Sequence, residues 1–176
     1  SKGGSGQSVY SGAQPGGKGG GAIWIESRVS TLMGTISAKG SNGTQYDSFG
    51  SWPSGPDWGG SGGGSGGFIY IESKIINIDE NCVITVKGGN GGSPLQGTDS
   101  DTTNPGGGGG GSGGRISILT DSNINQENFN INGGLGGTNS DPDVYPGQDG
   151  ANGILNYIKT WVTSETHPDS TLFYLN

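Results

Sequence analysis

One cysteine, one histidine, and eight lysines and arginines are all that this 176-residue chain brings to many familiar chemistries. A single cysteine forms no internal disulfide. Cys82 lies in the apolar phrase Asn81-Cys82-Val83-Ile84, which predicts a small buried hydrophobe. With one His and one Cys, the common zinc sites and the Ser-His or Cys-His nucleophiles are excluded. His167, in a polar turn before Pro168, is read as structural. Basic residues are outnumbered by fifteen Asp and Glu, for a formal net charge of −7, and they form no run. Nucleic acid and anionic membrane surfaces are therefore poor partners. Apolar runs reach roughly five residues, far below the ~20 of a membrane-spanning helix. Apolar residues make up only 27% of the chain, so a conventional core is thin.

What the chain has instead is glycine, 41 residues of it. Ordering each one costs roughly 0.5–1 kcal/mol more than ordering alanine. Dense backbone hydrogen bonding and close chain packing must offset that cost if the glycines are ordered. Their placement argues that they are. Gly19-Gly20-Gly21-Ala22 leads into Ile23-Trp24-Ile25-Glu26-Ser27, and Gly66-Gly67-Phe68 into Ile69-Tyr70-Ile71-Glu72-Ser73. Gly113-Gly114-Arg115 leads into Ile116-Ser117-Ile118-Leu119. The first isoleucines of these phrases recur 46 and 47 residues apart. A period of this length predicts a stacked architecture in which no repeat buries its core alone.

Within each repeat, a glycine run precedes a strand in which branched or aromatic residues alternate with polar ones. A second short strand follows, at Thr35-Ile36-Ser37-Ala38, Val83-Ile84-Thr85-Val86 and Asn128-Phe129-Asn130-Ile131. Each of these ends in a Lys-Gly or Asn-Gly corner, and no window carries a helical stripe. Ile154 to Val162, beginning 38 residues after Ile116, reads as a fourth strand extended into a cap, with Thr171 to Leu175 as its partner. The organisation expected is a glycine-rich repeat domain over 1–153 and a C-terminal β cap over 154–176. Ser1-Lys2-Gly3-Gly4-Ser5-Gly6 matches the corner Ala38-Lys39-Gly40-Ser41-Asn42-Gly43, so the chain is expected to begin mid-repeat, either after a removed upstream repeat or with a segment that supplies only the tail of a coil.

Gly106 to Gly111, with Ser112-Gly113-Gly114, has no side chain larger than serine. Tied to a period, such a run is read as an extended left-handed glycine helix, polyproline II in form, packed on its neighbours as in collagen. Pro15 and Pro105 precede two of the runs and preset φ near the value required. The fold class expected is all-β: stacked, parallel β-helix-like coils with packed polyglycine II helices.

The phrase Gly-Gly, strand, Glu-Ser, second strand and then Lys87-Gly88-Gly89-Asn90-Gly91-Gly92 resembles the glycine-rich repeat domains of large secreted and cell-surface proteins. The resemblance spans roughly 16–154. It implies an extracellular scaffold of β-helical and glycine-helix stacks, and it carries over no catalytic residues.

Binding on a repeating scaffold usually sits in the loops that vary. Tyr46, Phe49, Trp52 and Trp58 cluster in one such loop, and Tyr145 stands in another. These are the candidate ligand or interface residues, through sugar stacking or contact with another copy. Asp99 with Asp101, and Asp141 with Asp143, offer oxygen ligands for calcium without completing a known loop motif. No other cofactor is expected. Asn42-Gly43-Thr44 is an acceptor triplet for N-glycosylation. Glu26 and Glu72 hold the same repeat position and predict a carboxylate ladder; Thr120 is taken as the third repeat's counterpart. A carboxylate pair suggests glycoside hydrolysis, but polar residues on the outer face of a strand are the ordinary outcome. The start of a phosphate-binding loop at Gly12 to Lys18 fails, because Gly19 stands where Ser or Thr must hold magnesium. The functional expectation is a non-enzymatic extracellular module, a building unit of a cell-surface protein or filament. Its partners would be other copies, neighbouring domains or glycans, and the alternative is an adhesin tip that binds a receptor or glycan.

Overall fold

The computed structural model describes residues 15–44, 59–94, 105–138 and 145–159. They are strand-dominated, with no α-helix among them and one 3-10 turn at Gln126–Asn128. Seven strands form two parallel sheets. The longer strands are β1 (Ala22–Leu32), β3 (Phe68–Ile78), β5 (Arg115–Thr120) and β7 (Ile154–Lys159), and they lie side by side in that order. The shorter ones, β2 (Thr35–Ser37), β4 (Val83–Thr85) and β6 (Phe129–Asn130), form the second sheet.

Alternation decides which face of each strand goes in. Ile69 and Ile71 are buried, whereas Phe68, Tyr70 and Glu72 between them are partly exposed. The register stacks like on like: Ile23, Ile69, Ile116 and Leu155 form one inner row, and Ile25, Ile71, Ile118 and Tyr157 the next. These rows meet Ile84, Val86, Ala38 and Cys82 from the other side in one apolar cluster. Burial, and then the charge of Asp79, pushes the Cys82 thiol up, so this cysteine is an inert part of the core. The first two connections from long to short strand use different turns, and the third passes through the 3-10 turn at Gln126–Asn128. Gly34 makes the first with φ 70, a left-handed conformation that suits glycine. In the second, Asp79 accepts from the Asn81 amide through Oδ1 and from the Cys82 amide through its carbonyl, both at 2.9 Å.

The fourth strand corrects the spacing read from sequence. Leu155, not Ile154, stands opposite Ile116, and Ile154 lies opposite Arg115 on the exposed face. A slip of one residue exchanges the two faces of a strand, and two adjacent apolar residues leave that choice open until the pairing is made. Residues 171–175, read as its partner, lie outside the described residues, as do residues 1–6.

The segments beyond the short strands are not corners. Residues 38–44, 86–92 and 131–137 run back as straight segments, and 15–21, 59–67, 105–114 and 145–153 run out to the long strands. Outgoing runs bond to one another at every third residue: Gly107, Gly110 and Gly113 donate to the carbonyls of Tyr145, Gln148 and Ala151 at 2.7, 2.8 and 2.8 Å. One position further on, Gly108, Gly111 and Gly114 donate across to Gly92, Gly89 and Val86 of a returning run. The partner numbers fall as the donor numbers rise, so the two layers run in opposite directions. The remaining set, Gly106, Gly109 and Ser112, accepts from Gly60, Gly63 and Gly66 of the preceding repeat.

This contact is backbone on backbone. A Cβ placed at Gly111 would lie 2.0 Å from the Gly64 carbonyl oxygen, and one at Gly134 would lie 1.9 Å from that of Gly89. The third position differs: at Gly109 the nearest atom would be 3.7 Å away, an ordinary contact. That is where Ser65 and Ser112 stand, together with Lys87 and Asn90 in the returning layer. Glycine is required here for close approach and not for unusual dihedrals.

Candidate binding face

The outer face of the four-stranded sheet gathers the aromatic and charged residues of the repeated phrase. Trp24 lies opposite Tyr70 in the register, and Glu26 opposite Glu72. The two rings stack with centroids 4.2 Å apart and planes at 31°. Phe68 extends the patch, 6.4 Å from Tyr70 between centroids. Trp24 is 65% exposed, so most of the indole faces solvent.

Each carboxylate is tied to the aromatic two residues before it, because side chains at i and i+2 share a face of a strand. Trp24 Nε1 donates to Glu26 Oε2 at 3.4 Å, and Tyr70 OH donates to Glu72 Oε2 at 2.6 Å. The second bond is short and charge-assisted. It is the main reason the Tyr70 phenol is pushed up to about 12, with partial burial and the charges of Glu72 and Glu26 adding to it. The folded value lies above the unfolded value of about 10. The contact therefore supports the fold fully below pH ~10 and is lost as the pH rises through about 12. The Tyr70 ring carbon bearing the hydroxyl, followed by NMR, is expected to titrate near pH 12 and to move toward 10 in Glu72→Gln. An unmoved midpoint in that variant would show that the carboxylate is not the cause.

Further along the face, the Asn156 amide, turned so that its oxygen faces Arg115, accepts from the guanidinium. No Lys or Arg among the described residues forms an ion pair with Glu26 or Glu72. Neighbouring strands lie about 4.8 Å apart, so the two carboxylates repel across the rung, and both stay free to accept hydrogen bonds from outside. The predicted ladder thus exists, but its third member is Leu119, which lies opposite Glu72. Thr120 points inward, fully buried, and its hydroxyl donates to the Lys74 carbonyl at 3.3 Å.

Of the residues singled out in the sequence, Tyr46, Phe49, Trp52 and Trp58 lie outside the described residues. So do Asp99, Asp101, Asp141 and Asp143. Among the described residues, no three His, Cys, Asp or Glu side chains are grouped to hold a metal ion. Tyr145 is 69% exposed at the start of its glycine run, where it bridges to Gly106. Asn42 is exposed and uses Oδ1 to accept from the Asn90 amide at 2.9 Å; Asn90 in turn accepts from the Leu135 amide at 3.0 Å. The pairing of Trp24 with Tyr70 was not singled out from the sequence, although the 46-residue period contains it. Comparison with known protein families, curated proteins and solved structures returns no match.

Proposed function

We propose that this chain is a non-enzymatic extracellular structural module, a building unit of a cell-surface protein or filament. In this reading each repeat is a flattened, parallel β-helix-like coil, with β strands in one half and polyglycine II helices in the other. The three-residue hydrogen-bond period of the glycine runs carries it. A period of three, with run 105–114 bonded to four neighbouring runs backbone to backbone, fits the threefold polyproline II helix and no sheet ladder. In its glycine half such a unit meets its neighbours mainly through backbone, and its strand half through stacked apolar rows, so the repeats stack in one dimension. The apolar cluster, confined to the strand half of each repeat, accords with a scaffold.

Electron microscopy of material from its native source tests the reading. Ordered filaments or a surface layer with one module per axial repeat are expected. Isolated knobs at the ends of stalks would overturn it and favour the second reading, a glycan-binding adhesin. A specific feature favours that alternative: an exposed indole stacked on Tyr70, with Glu26 and Glu72 on the same face as hydrogen-bond acceptors, suited to the apolar face and hydroxyls of a neutral sugar. If glycans bind there, Trp24→Ala weakens binding on an array by about tenfold or more, as the loss of a central aromatic anchor does. Loss instead in Trp52→Ala and Trp58→Ala would place the contact in the loop.

A further inference from the structure

The amides that one repeat offers to the next have regular partners. In the returning layer, Gly40 and Gly43 donate to the carbonyls of Lys87 and Asn90 at 2.9 and 2.7 Å. Gly88 and Gly91 donate to those of Asn132 and Leu135 at 2.9 and 2.8 Å. The corresponding donors of the next run are Gly133 and Gly136, and here the pattern changes. Gly133 donates to Asn152 Oδ1 at 3.1 Å, and Gly136 to Asp149 Oδ1 at 2.7 Å. Two side-chain oxygens stand in for the backbone carbonyls of a further returning run.

The same two residues break the glycine rule. The bonding register places Asp149 at the position of Gly110 and Asn152 at that of Gly113. At those glycines a Cβ would lie 2.1 Å from the Gly134 carbonyl oxygen and 1.9 Å from that of Ile131, both in the adjoining returning run. A side chain at either position therefore occupies the track of such a run. Pro146, at the position of Gly107, has no N–H to offer a next neighbour. On the opposite edge of the outgoing layer, Lys18 takes the place of Gly64 and Gly111 and is exposed.

We infer that Asp149 and Asn152 are stop residues of the glycine array. They satisfy the donors that the stack would otherwise leave open, and they fill the space into which it would grow. With Lys18 closing the other edge of the outgoing layer, a second copy of this chain does not join by continuing the glycine layers. Any assembly proceeds through other surfaces instead, the edge strands β1 and β7 among them. This goes beyond the proposed function and stands whether or not that reading holds, since it rests only on bonding and space within the chain.

Amide hydrogen exchange on the full chain tests it. Asp149→Ala is expected to speed exchange at Gly136 by at least tenfold, and Asn152→Ala to do the same at Gly133. Gly88 and Gly91 should keep their protection, which also reports that each variant is folded. Asp149→Asn keeps an Oδ1 acceptor and should restore protection at Gly136. Unchanged exchange at Gly133 and Gly136 in the alanine variants would overturn the proposal. So would loss of protection in Asp149→Asn equal to that in Asp149→Ala.

Discussion

Gly111→Ala is expected to lower the melting temperature by about 10 °C or more, while Gly109→Ala, two residues away, leaves it unchanged or raises it. The added methyl at 111 lies 2.0 Å from the Gly64 carbonyl oxygen, and the neighbour is backbone that cannot rotate aside. Relief requires the run to move by about an ångström or more, since carbon contacts sit near 3.5 Å. Gly111 is held on both sides: it donates to Gly89 at 2.8 Å and accepts from Gly134 at 2.8 Å. Displacing it loosens both bonds, at about 1 kcal/mol each, besides an overpacking cost of about 1–3 kcal/mol. A total of about 3–5 kcal/mol corresponds to roughly 10 °C or more in a chain of this size.

The alanine at 109 meets nothing closer than 3.7 Å. Its effect is then mainly on the unfolded chain, where alanine has less freedom than glycine, a gain of about 0.4–1 kcal/mol. Thermal unfolding of both variants, followed by circular dichroism, decides the matter. Equal destabilisation at the two sites would mean that the glycines serve the flexibility of the run and not its packing.

That contrast marks where the sequence was readable. Lys87-Gly88-Gly89-Asn90-Gly91-Gly92 already displays the period of three, with side chains at 87 and 90. Read alone it looks like a turn, because Gly and Asn signal turns wherever no partner run is in view. The inner rows were legible from alternation and spacing, since a 46-residue offset places isoleucine on isoleucine. The outer face was legible only through that same register: Trp24 and Tyr70 are far apart in sequence, and each alone is an ordinary strand residue. The loop rings at 46–58 drew attention because they cluster locally, which is what a linear reading detects. Asp149 and Asn152 were harder still. Their meaning lies in departing from glycine at positions whose neighbours come from another layer.

Ile71→Ala is expected to cost about 2–5 kcal/mol in urea unfolding, the usual range for emptying a well-packed isoleucine site. Ile71 is fully buried, between Ile25 and Ile118 in its row. Ile75, on the same strand but 45% exposed, serves as the comparison, and its alanine variant should cost much less. The loss at 71 is a large fraction of a total stability of about 5–15 kcal/mol. Its reach should also be long. The glycine runs have almost no side chains to bury, so the strands supply the apolar driving force for both halves of each repeat. Gly67 and Gly114 lead directly into β3 and β5, and Gly67 donates to Ala38 at 2.8 Å, as does Gly114 to Val86. Both acceptors belong to the buried cluster. Amide exchange in Ile71→Ala should therefore quicken at Gly63, Gly88 and Gly111 together with Ile69 and Ile116, as one cooperative unit. If the glycine amides keep their full protection while the strand amides lose theirs, the glycine layers hold themselves together through backbone bonds alone.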